Sequence, residues 1–192
     1  MDVPLTLACA LEIEEKIARK AGARTARVGL GARLPLPDGP LVSFGFAGSL
    51  DPRLRPGTLV TATKVVDVSG ETLWEGKALA VDGAEPVVVC AATAVADGPA
   101  RAAVATSSGA EAVDLESGEL ARSGRLLGVV RAISDSTERP LGRLAFAARP
   151  DGSTDPRAVA RSFLTQPVTS IRTALAARRA LSRLRRAAEV LR

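Results

Sequence analysis

The chain of 192 residues contains no histidine and no tyrosine, and its aromatic residues are one tryptophan and four phenylalanines. The lack of histidine excludes a Ser-His-Asp triad, a Cys-His nucleophile, an imidazole proton shuttle and histidine-rich zinc sites. No apolar run approaches the roughly 20 residues of a membrane-spanning helix, and acidic residues stand where a secretory signal carries basic ones. A cytoplasmic protein is expected, and any acid–base chemistry has to be carried by carboxylates.

Cysteine is also scarce. Cys9 and Cys90 are the two cysteines, and each lies in an apolar run (LTLACAL and VVVCAA). Isolated cysteines in such runs fit buried free thiols better than a disulfide framework or a metal site. No metal site is expected.

Charge is uneven along the chain. Residues 139–192 contain 12 arginines and three acidic residues, whereas residues 1–138 contain 14 basic and 18 acidic ones. A basic segment of this kind is typical of a nucleic-acid-binding surface, a membrane-surface helix or a solvated helix. Because it has only two phenylalanines on which bases could stack, we expect no nucleic-acid partner. The other two alternatives remain.

Short apolar runs alternate with helical patterns, which predicts a sheet of buried strands with helices around it. A single core suits this length, so we expect one α/β domain over residues 1–169, to which a basic helix over 170–192 also belongs. The predicted strands are 3–11, 26–30, 41–46, 58–68, 73–80, 86–92 and 126–133, and the predicted helices are 12–19, 98–105, 114–123, 155–164 and 168–191.

Ligands of such sheets bind beyond the carboxyl ends of strands, so residues that directly follow the apolar runs are candidates for a site. Three acidic residues stand out at strand ends or helix starts: Glu14, Glu116 and Asp135. On spacing alone Asp135 also fits a helix cap or a turn residue, and Glu116 fits an ordinary helix start. The segment from Gly45 to Gly48 likewise fits a turn.

Four segments in this order resemble the purine nucleoside phosphorylase and nucleosidase family. They are ALEIEEKIAR after the first strand, SFGFAGSLDPRLRPGTLV, AVDLESGELA and VVRAISDS. The family has an acidic helix, a Gly-Ala-Gly loop with Leu-Asp-Pro, an acid-Met-Glu helix start and Arg-x-Ile-Ser-Asp at these places. The remaining segment, RPDGSTDPRAVARSFLTQP with the arginine-rich helix, is similar to the hopanoid-associated branch. The resemblance implies a three-layer α/β/α fold with a central mixed sheet.

The resemblance also implies roles for the acidic residues in cleavage of an N-glycosidic bond to adenine. Asp135 matches the general acid at purine N7, with Ser134 orienting its carboxyl group. Glu116 matches the acid that binds the ribose 2′ and 3′ hydroxyls, and Glu14 the acid that positions or activates the attacking water. A carboxylic acid can supply such a proton, and bonds to the 2′ hydroxyl strengthen as the sugar gains positive charge.

Further substrate contacts follow from the same motifs. Phe46, Ala47 and Gly48 match a backbone wall beside sugar and base, and Leu115 takes the place of the family's methionine under the ribose. Val95 stands in a region where relatives place an aromatic ring over the base. Arg131 is an internal partner for one of the acids, or a structural residue only.

Three departures from the family bear on the reaction. The nine residues between Gly31 and Leu41 include three prolines where the family has a helix. The segment VVVCAATAVADG has no aromatic residue. The absence of histidine favours hydrolysis over phosphorolysis, although phosphate stays open as a co-substrate, with Arg33, Arg53 or Arg55 as anion-binding candidates. No cofactor is expected.

The resemblance therefore predicts a nucleosidase that releases adenine from adenosylhopane in bacterial hopanoid synthesis. The alternatives are a methylthioadenosine or adenosylhomocysteine nucleosidase, a purine nucleoside phosphorylase, and a catalytically degenerate nucleoside-binding protein. Relatives complete the site with a neighbouring subunit, which implies a homo-oligomer, most simply a dimer.

The helix over 170–192 is amphipathic. It either packs on the domain by its apolar stripe or binds anionic lipid at the inner face of the membrane, where its deletion should abolish liposome binding. The stripe is expected to consist of Ile171, Leu175, Leu181, Leu184, Ala188 and Leu191.

Overall fold

The computed structural model describes residues 4–93, 98–136, 138 and 141–192. Eight strands and five α-helices follow one another along these residues. The strands are β1 (Thr6–Cys9), β2 (Thr25–Arg27), β3 (Leu41–Ser49), β4 (Leu59–Val66), β5 (Thr72–Glu75), β6 (Ala84–Ala91), β7 (Ala112–Asp114) and β8 (Leu126–Asp135). The helices are α1 (Glu12–Lys20), α2 (Gly98–Ser108), α3 (Ser117–Arg122), α4 (Pro156–Thr165) and α5 (Pro167–Val190).

All eight strands belong to one mixed sheet. Strand β3 lies at its centre and pairs in parallel with β1 and β8 and antiparallel with β7. Strand β7 continues to β6, β6 to β4, and β4 returns to β8. The pairings β3–β7–β6–β4–β8 therefore close on themselves, and β1 with β2 extends the sheet beyond this ring.

Apolar side chains on the two faces of the central strands enter different cores, as the two-residue period of a strand requires. Leu7, Val42 and Val130 pack with α1 and α5 on one face. Their sequence neighbours Ala8 and Val129 pack on the other face, with Leu120 of α3. Helices thus cover both faces, and the expected three-layer arrangement with a central mixed sheet is confirmed.

The boundaries of several elements differ from the sequence-based expectations. The strand expected over 73–80 ends at Glu75, and the strand expected over 41–46 continues to Ser49. The helix expected from Asp114 begins at Ser117, because residues 112–114 form strand β7. The segment between Arg33 and Pro40 contains neither helix nor strand, in agreement with its three prolines.

The orientation of α5 corrects the expected apolar stripe. Leu184 and Ala188 are buried against the sheet as expected, together with Ala180 and Ala187. Ile171 and Leu175, however, are 52% and 54% exposed. They lie on the opposite side of the helix from the buried alanines, because positions 171 and 175 are out of phase with 180, 184 and 187 at 3.6 residues per turn. Leu181 and Leu191 are half-buried.

Cys9 and Cys90 are buried free thiols, as expected. Within the described residues, no helix combines the length and the apolar character that crossing a bilayer demands.

Candidate active site

The carboxyl-terminal half of β3, from Gly45 to Ser49, is the element around which the candidate site is built. Helix α1 reaches it from the end of β1, the start of α3 reaches it from β7, and β8 runs beside it. Each of the three acidic residues singled out from the sequence is buried: Glu14 is 1% exposed, and Glu116 and Asp135 are 3% exposed each. Buried carboxylates are costly unless they are hydrogen-bonded or paired with a cation, so their partners matter.

Glu14 stands in the first turn of α1 and points at β3. Its Oε2 accepts a hydrogen bond of 2.8 Å from the backbone N–H of Leu11, and its Oε1 accepts one of 2.8 Å from that of Phe46. Gly45 makes this approach possible, since a Cβ atom there would overlap the Glu14 carboxylate. Burial raises the pKa of Glu14 to about 7, although Arg131 and the two N–H donors oppose that rise.

A pKa near 7 suits a general base, because such a carboxylate is ionised in part and still holds a proton well enough to take one from water. The hydrogen bond from the Leu11 N–H also has a structural role, because it caps the first turn of α1. The cap does not explain the bond to Phe46, which comes from a strand 32 residues along the chain.

Glu116 directly precedes α3 and is held by two donors. Its Oε1 accepts a hydrogen bond of 3.0 Å from the backbone N–H of Gly31, and its Oε2 lies 3.2 Å from Nη2 of Arg131. Burial raises the pKa of Glu116, and the neighbouring Asp114 adds to the rise while Arg131 opposes it. The carboxylate of Asp114 is also the acceptor of the Ser117 N–H at the start of α3.

Arg131 of β8 joins these acidic residues. Its Nε lies 2.8 Å from Oδ2 of Asp114, its Nη2 donates to Glu116 and, at 2.6 Å, to Ser43, and its Nη1 donates to the Phe46 carbonyl at 3.3 Å. Burial works to lower the pKa of Arg131, but the carboxylates around it outweigh burial and raise the pKa. Arg131 is thus the internal cation that permits Glu14, Asp114 and Glu116 to be buried close together.

Asp135 ends β8 and pairs in register with Gly48. Its Oδ1 accepts a hydrogen bond of 2.5 Å from the hydroxyl of Ser134, whose orienting role stays a prediction. Its Oδ2 forms a buried ion pair with Nη2 of Arg101 from α2. The motifs gave no indication of Arg101, and the one signal in the sequence is that it is the sole charged residue of the helix GPARAAVATSS.

The structure therefore places the three acidic residues along one half-strand, but in two groups. Phe46 donates to Glu14 and accepts from Arg131, which in turn pairs with Glu116, whereas Asp135 stands further along β3 with Arg101 and Ser134. Their catalytic roles stay predictions.

The other expected substrate contacts are distributed around this half-strand. Phe46 and Gly48 are half-buried, and Ala47 accepts a hydrogen bond from the Ser134 hydroxyl at 3.2 Å. These residues form part of β3, so the turn considered for this segment is absent and the wall is a strand. Val95 lies outside the described residues, and its contact with a base stays a prediction.

Leu115 borders a cavity of about 540 Å³, together with Gly31, Arg33 and Thr93. A cavity of this size is in the range of small-molecule sites. Ser134 borders a second cavity, of about 450 Å³, which Arg172 and Arg179 of α5 also line. Of the arginines considered for an anion, Arg33 thus faces the first cavity, whereas Arg53 is paired with Asp51.

Comparisons with known proteins place this fold. No family model matches the chain, and no curated protein matches its sequence. Among solved structures, the 5′-methylthioadenosine/S-adenosylhomocysteine nucleosidase from Neisseria meningitidis in complex with methylthio-immucillin-A is 14% identical, with a TM-score of 0.61 over 97% of this chain and 99% of that chain.

Two further structures are similar. The corresponding nucleosidase from Colwellia psychrerythraea, in complex with adenine, is 15% identical, with a TM-score of 0.56 over 96% of each chain. The futalosine hydrolase of Helicobacter pylori is 14% identical, with a TM-score of 0.56 over 88% of this chain and 97% of that chain. The chain therefore has the same fold as these nucleosidases and the futalosine hydrolase.

Proposed function

We propose that this protein is a nucleosidase that hydrolyses the N-glycosidic bond of an adenine nucleoside. The observation that carries the proposal is the burial of Glu14 against the half-strand and of Glu116 beside Arg131, with the pKa of Glu14 raised to about 7. Buried carboxyl groups with a strongly shifted pKa occur preferentially at functional sites. The fold, shared with nucleosidases, supports the same conclusion.

In the proposed reaction water attacks C1′ of the ribose as the bond from C1′ to N9 breaks. Glu14 takes a proton from the water, and the bonding electron pair leaves with the purine. Asp135, in its protonated form, gives its proton to N7, so adenine departs as a neutral base. Glu116 accepts hydrogen bonds from the ribose hydroxyls, which become stronger donors as positive charge develops on the sugar. Proton exchange with solvent then restores Glu14 and Asp135.

The finer proposal for the substrate is adenosylhopane, a nucleoside with a large apolar group. It rests on the resemblance of the segment around residues 149–167 and on the exposed surface of α5. There Val168, Ile171 and Leu175 face solvent at spacings of three and four residues. Phe146 and Leu164 add exposed apolar area nearby in sequence. Exposed apolar residues beside arginines are typical of a surface that meets lipid.

The alternatives predict different substrates. A methylthioadenosine or adenosylhomocysteine nucleosidase acts on small soluble nucleosides, and a phosphorylase requires phosphate. A degenerate protein binds nucleosides without cleaving them.

The proposed homodimer stays a prediction, and light scattering at micromolar concentration measures it.

The experiment that tests the proposal is an adenine-release assay with a panel of nucleosides, with and without inorganic phosphate. The proposal predicts adenine release that phosphate does not stimulate, with adenosylhopane as the best substrate. Stimulation by phosphate, with formation of a sugar phosphate, would assign phosphorolysis. Release of adenine from small nucleosides alone would assign the second alternative.

A further inference from the structure

The guanidinium of Arg101 occupies a buried position beside the proposed general acid. Arg101 is 6% exposed and comes from the first turn of α2. Its Nη2 is paired with Oδ2 of Asp135, and its Nη1 donates to the carbonyl of Ser49 at 3.0 Å. With Ser134 on Oδ1, both oxygens of the Asp135 carboxylate already have a donor.

The same guanidinium stands over the backbone of β3. A Cβ atom at Gly48 would come within 2.8 Å of Nη1 of Arg101, so the lack of a side chain there gives the guanidinium its space. Gly48 is also a residue of the proposed wall beside sugar and base. The planar guanidinium of Arg101 therefore lies between this wall and Asp135.

A purine that receives a proton from Asp135 must present N7 to the same carboxylate. N7 of adenine is an acceptor that takes the proton, and the neighbouring 6-amino group is a donor, so the base meets the carboxyl group along one planar edge. Because Ser134 already donates to Oδ1, a base that meets this carboxyl group approaches the oxygen that Arg101 holds.

We infer that Arg101 is a positioning residue that holds Asp135 and fills the purine subsite until a nucleoside displaces it. This inference rests on the proposed function. Its consequence is that part of the affinity for the base is lost in displacing Arg101. When a competent state is populated to only about a tenth, the observed affinity falls by about tenfold.

The test is calorimetric titration with adenine, combined with steady-state adenine release, on the wild type and on Arg101→Met, Arg101→Lys and Arg19→Met. Methionine removes the donors and the charge, lysine keeps the charge, and Arg19 is an exposed arginine of α1 that provides the matched control. Thermal unfolding establishes that each variant is folded. Arg101→Gln replaces Arg101→Met if methionine prevents folding.

The inference predicts that Arg101→Met binds adenine about tenfold more tightly than the wild type and has a KM lower by a similar factor, with kcat not reduced. Arg101→Lys and Arg19→Met should stay within about twofold of the wild type. A role in stability alone would instead weaken binding in Arg101→Met. An active wild type with equal or weaker adenine binding in folded Arg101→Met overturns this inference alone. Failure of every variant to bind or release adenine overturns the proposed function as well.

Discussion

Oε1 of Glu14 accepts a hydrogen bond of 2.8 Å from the backbone N–H of Phe46, and this bond ties helix α1 to the half-strand on which the site is built. The contact needs a glycine at position 45, because a side chain there would occupy the place of the carboxylate. Glu14 is fully enclosed as a result, and burial shifts its ionisation to neutral pH. The same enclosure makes the protonation of Glu14 measurable as a change in stability.

The first prediction is that Glu14 makes the free energy of unfolding fall as pH rises from about 5 to about 7. The pKa of Glu14 rises from its ordinary value of 4.5 to about 7 on folding, so the folded state binds the proton more tightly in this range. The total effect is about 3 kcal/mol, which is reached once pH exceeds the folded-state pKa. Urea unfolding of the wild type and of Glu14→Gln across this range measures it.

Glutamine imitates the protonated carboxyl, so the stability of Glu14→Gln relative to the wild type should increase with pH. Glu15→Gln, next to it on α1, is the matched control and should leave the pH dependence unchanged. A constant difference between the wild type and Glu14→Gln from pH 5 to pH 8 would show that Glu14 is ionised throughout.

The second prediction concerns Arg131, the cation shared by the buried carboxylates. Arg131→Met should reduce the free energy of unfolding by about 3–5 kcal/mol, because it leaves Asp114 and Glu116 buried without their counter-ion. Arg122→Met removes an exposed arginine that pairs with Glu119, and should reduce it by less than about 1 kcal/mol. Urea unfolding compares the two. Equal effects would contradict the role of Arg131 as the shared cation.

The third prediction is that Glu116→Gln impairs recognition of the ribose hydroxyls. Hydrogen bonds to a charged group contribute about 1.5–3 kcal/mol, so kcat/KM for a ribonucleoside should fall roughly 10–100-fold. A 2′,3′-dideoxynucleoside lacks the hydroxyls, and its slower cleavage should change much less. Glu119→Gln, on the exposed face of α3, is the control. A similar loss for both substrates would place the function of Glu116 elsewhere.

The fourth prediction is that the protein binds anionic vesicles reversibly through the exposed side of α5. Deletion of residues 170–192 would remove Leu184 and Ala187 from the core and so disturb the fold as well as any membrane binding. The informative variant replaces Arg178, Arg183 and Arg186 by glutamine, since all three are exposed. It should lose most of the binding, as basic residues near such a membrane contribute about 1 kcal/mol each.

Flotation with phosphatidylserine-containing and with neutral vesicles, at low and high salt, measures this binding. Replacement of Arg19, Lys20 and Arg24 by glutamine removes the same charge from another surface and should have less effect. Equal recovery with both kinds of vesicle would leave α5 as ordinary structure.

Much of the fold was predictable because most strands are apolar runs with a distinct start and end. Strand β7 was not, since three residues between two helices are too few to show a period. In α5 one apolar stripe was expected, but Ile171 and Leu175 lie on the side opposite Leu184. The packing of Ala180 and Ala187 against the sheet decides which side of the helix is buried.

The acidic residues of the site were found at predicted strand ends and helix starts, which are positions that sequence can indicate. The arginines that pair with these acidic residues were harder to predict from the sequence. Arg131 lies in a predicted strand and was considered as a partner, but Arg101 reaches Asp135 from a helix 34 residues earlier in the chain. Such a pairing depends on how β3, β8 and α2 pack, and no local pattern encodes it.

The most direct test of the proposed function is adenine release by the wild type and by Asp135→Asn, with Asp82→Asn as an exposed control. Asparagine keeps the shape of the side chain and its hydrogen bonds but cannot transfer a proton, and general acid–base catalysis contributes about 10²–10⁴ in rate. We predict that the wild type and Asp82→Asn release adenine, and that Asp135→Asn binds the nucleoside while kcat falls by about this factor. Asp135→Asn with half of the wild-type kcat, or a wild type that releases no adenine from any nucleoside, would contradict the account.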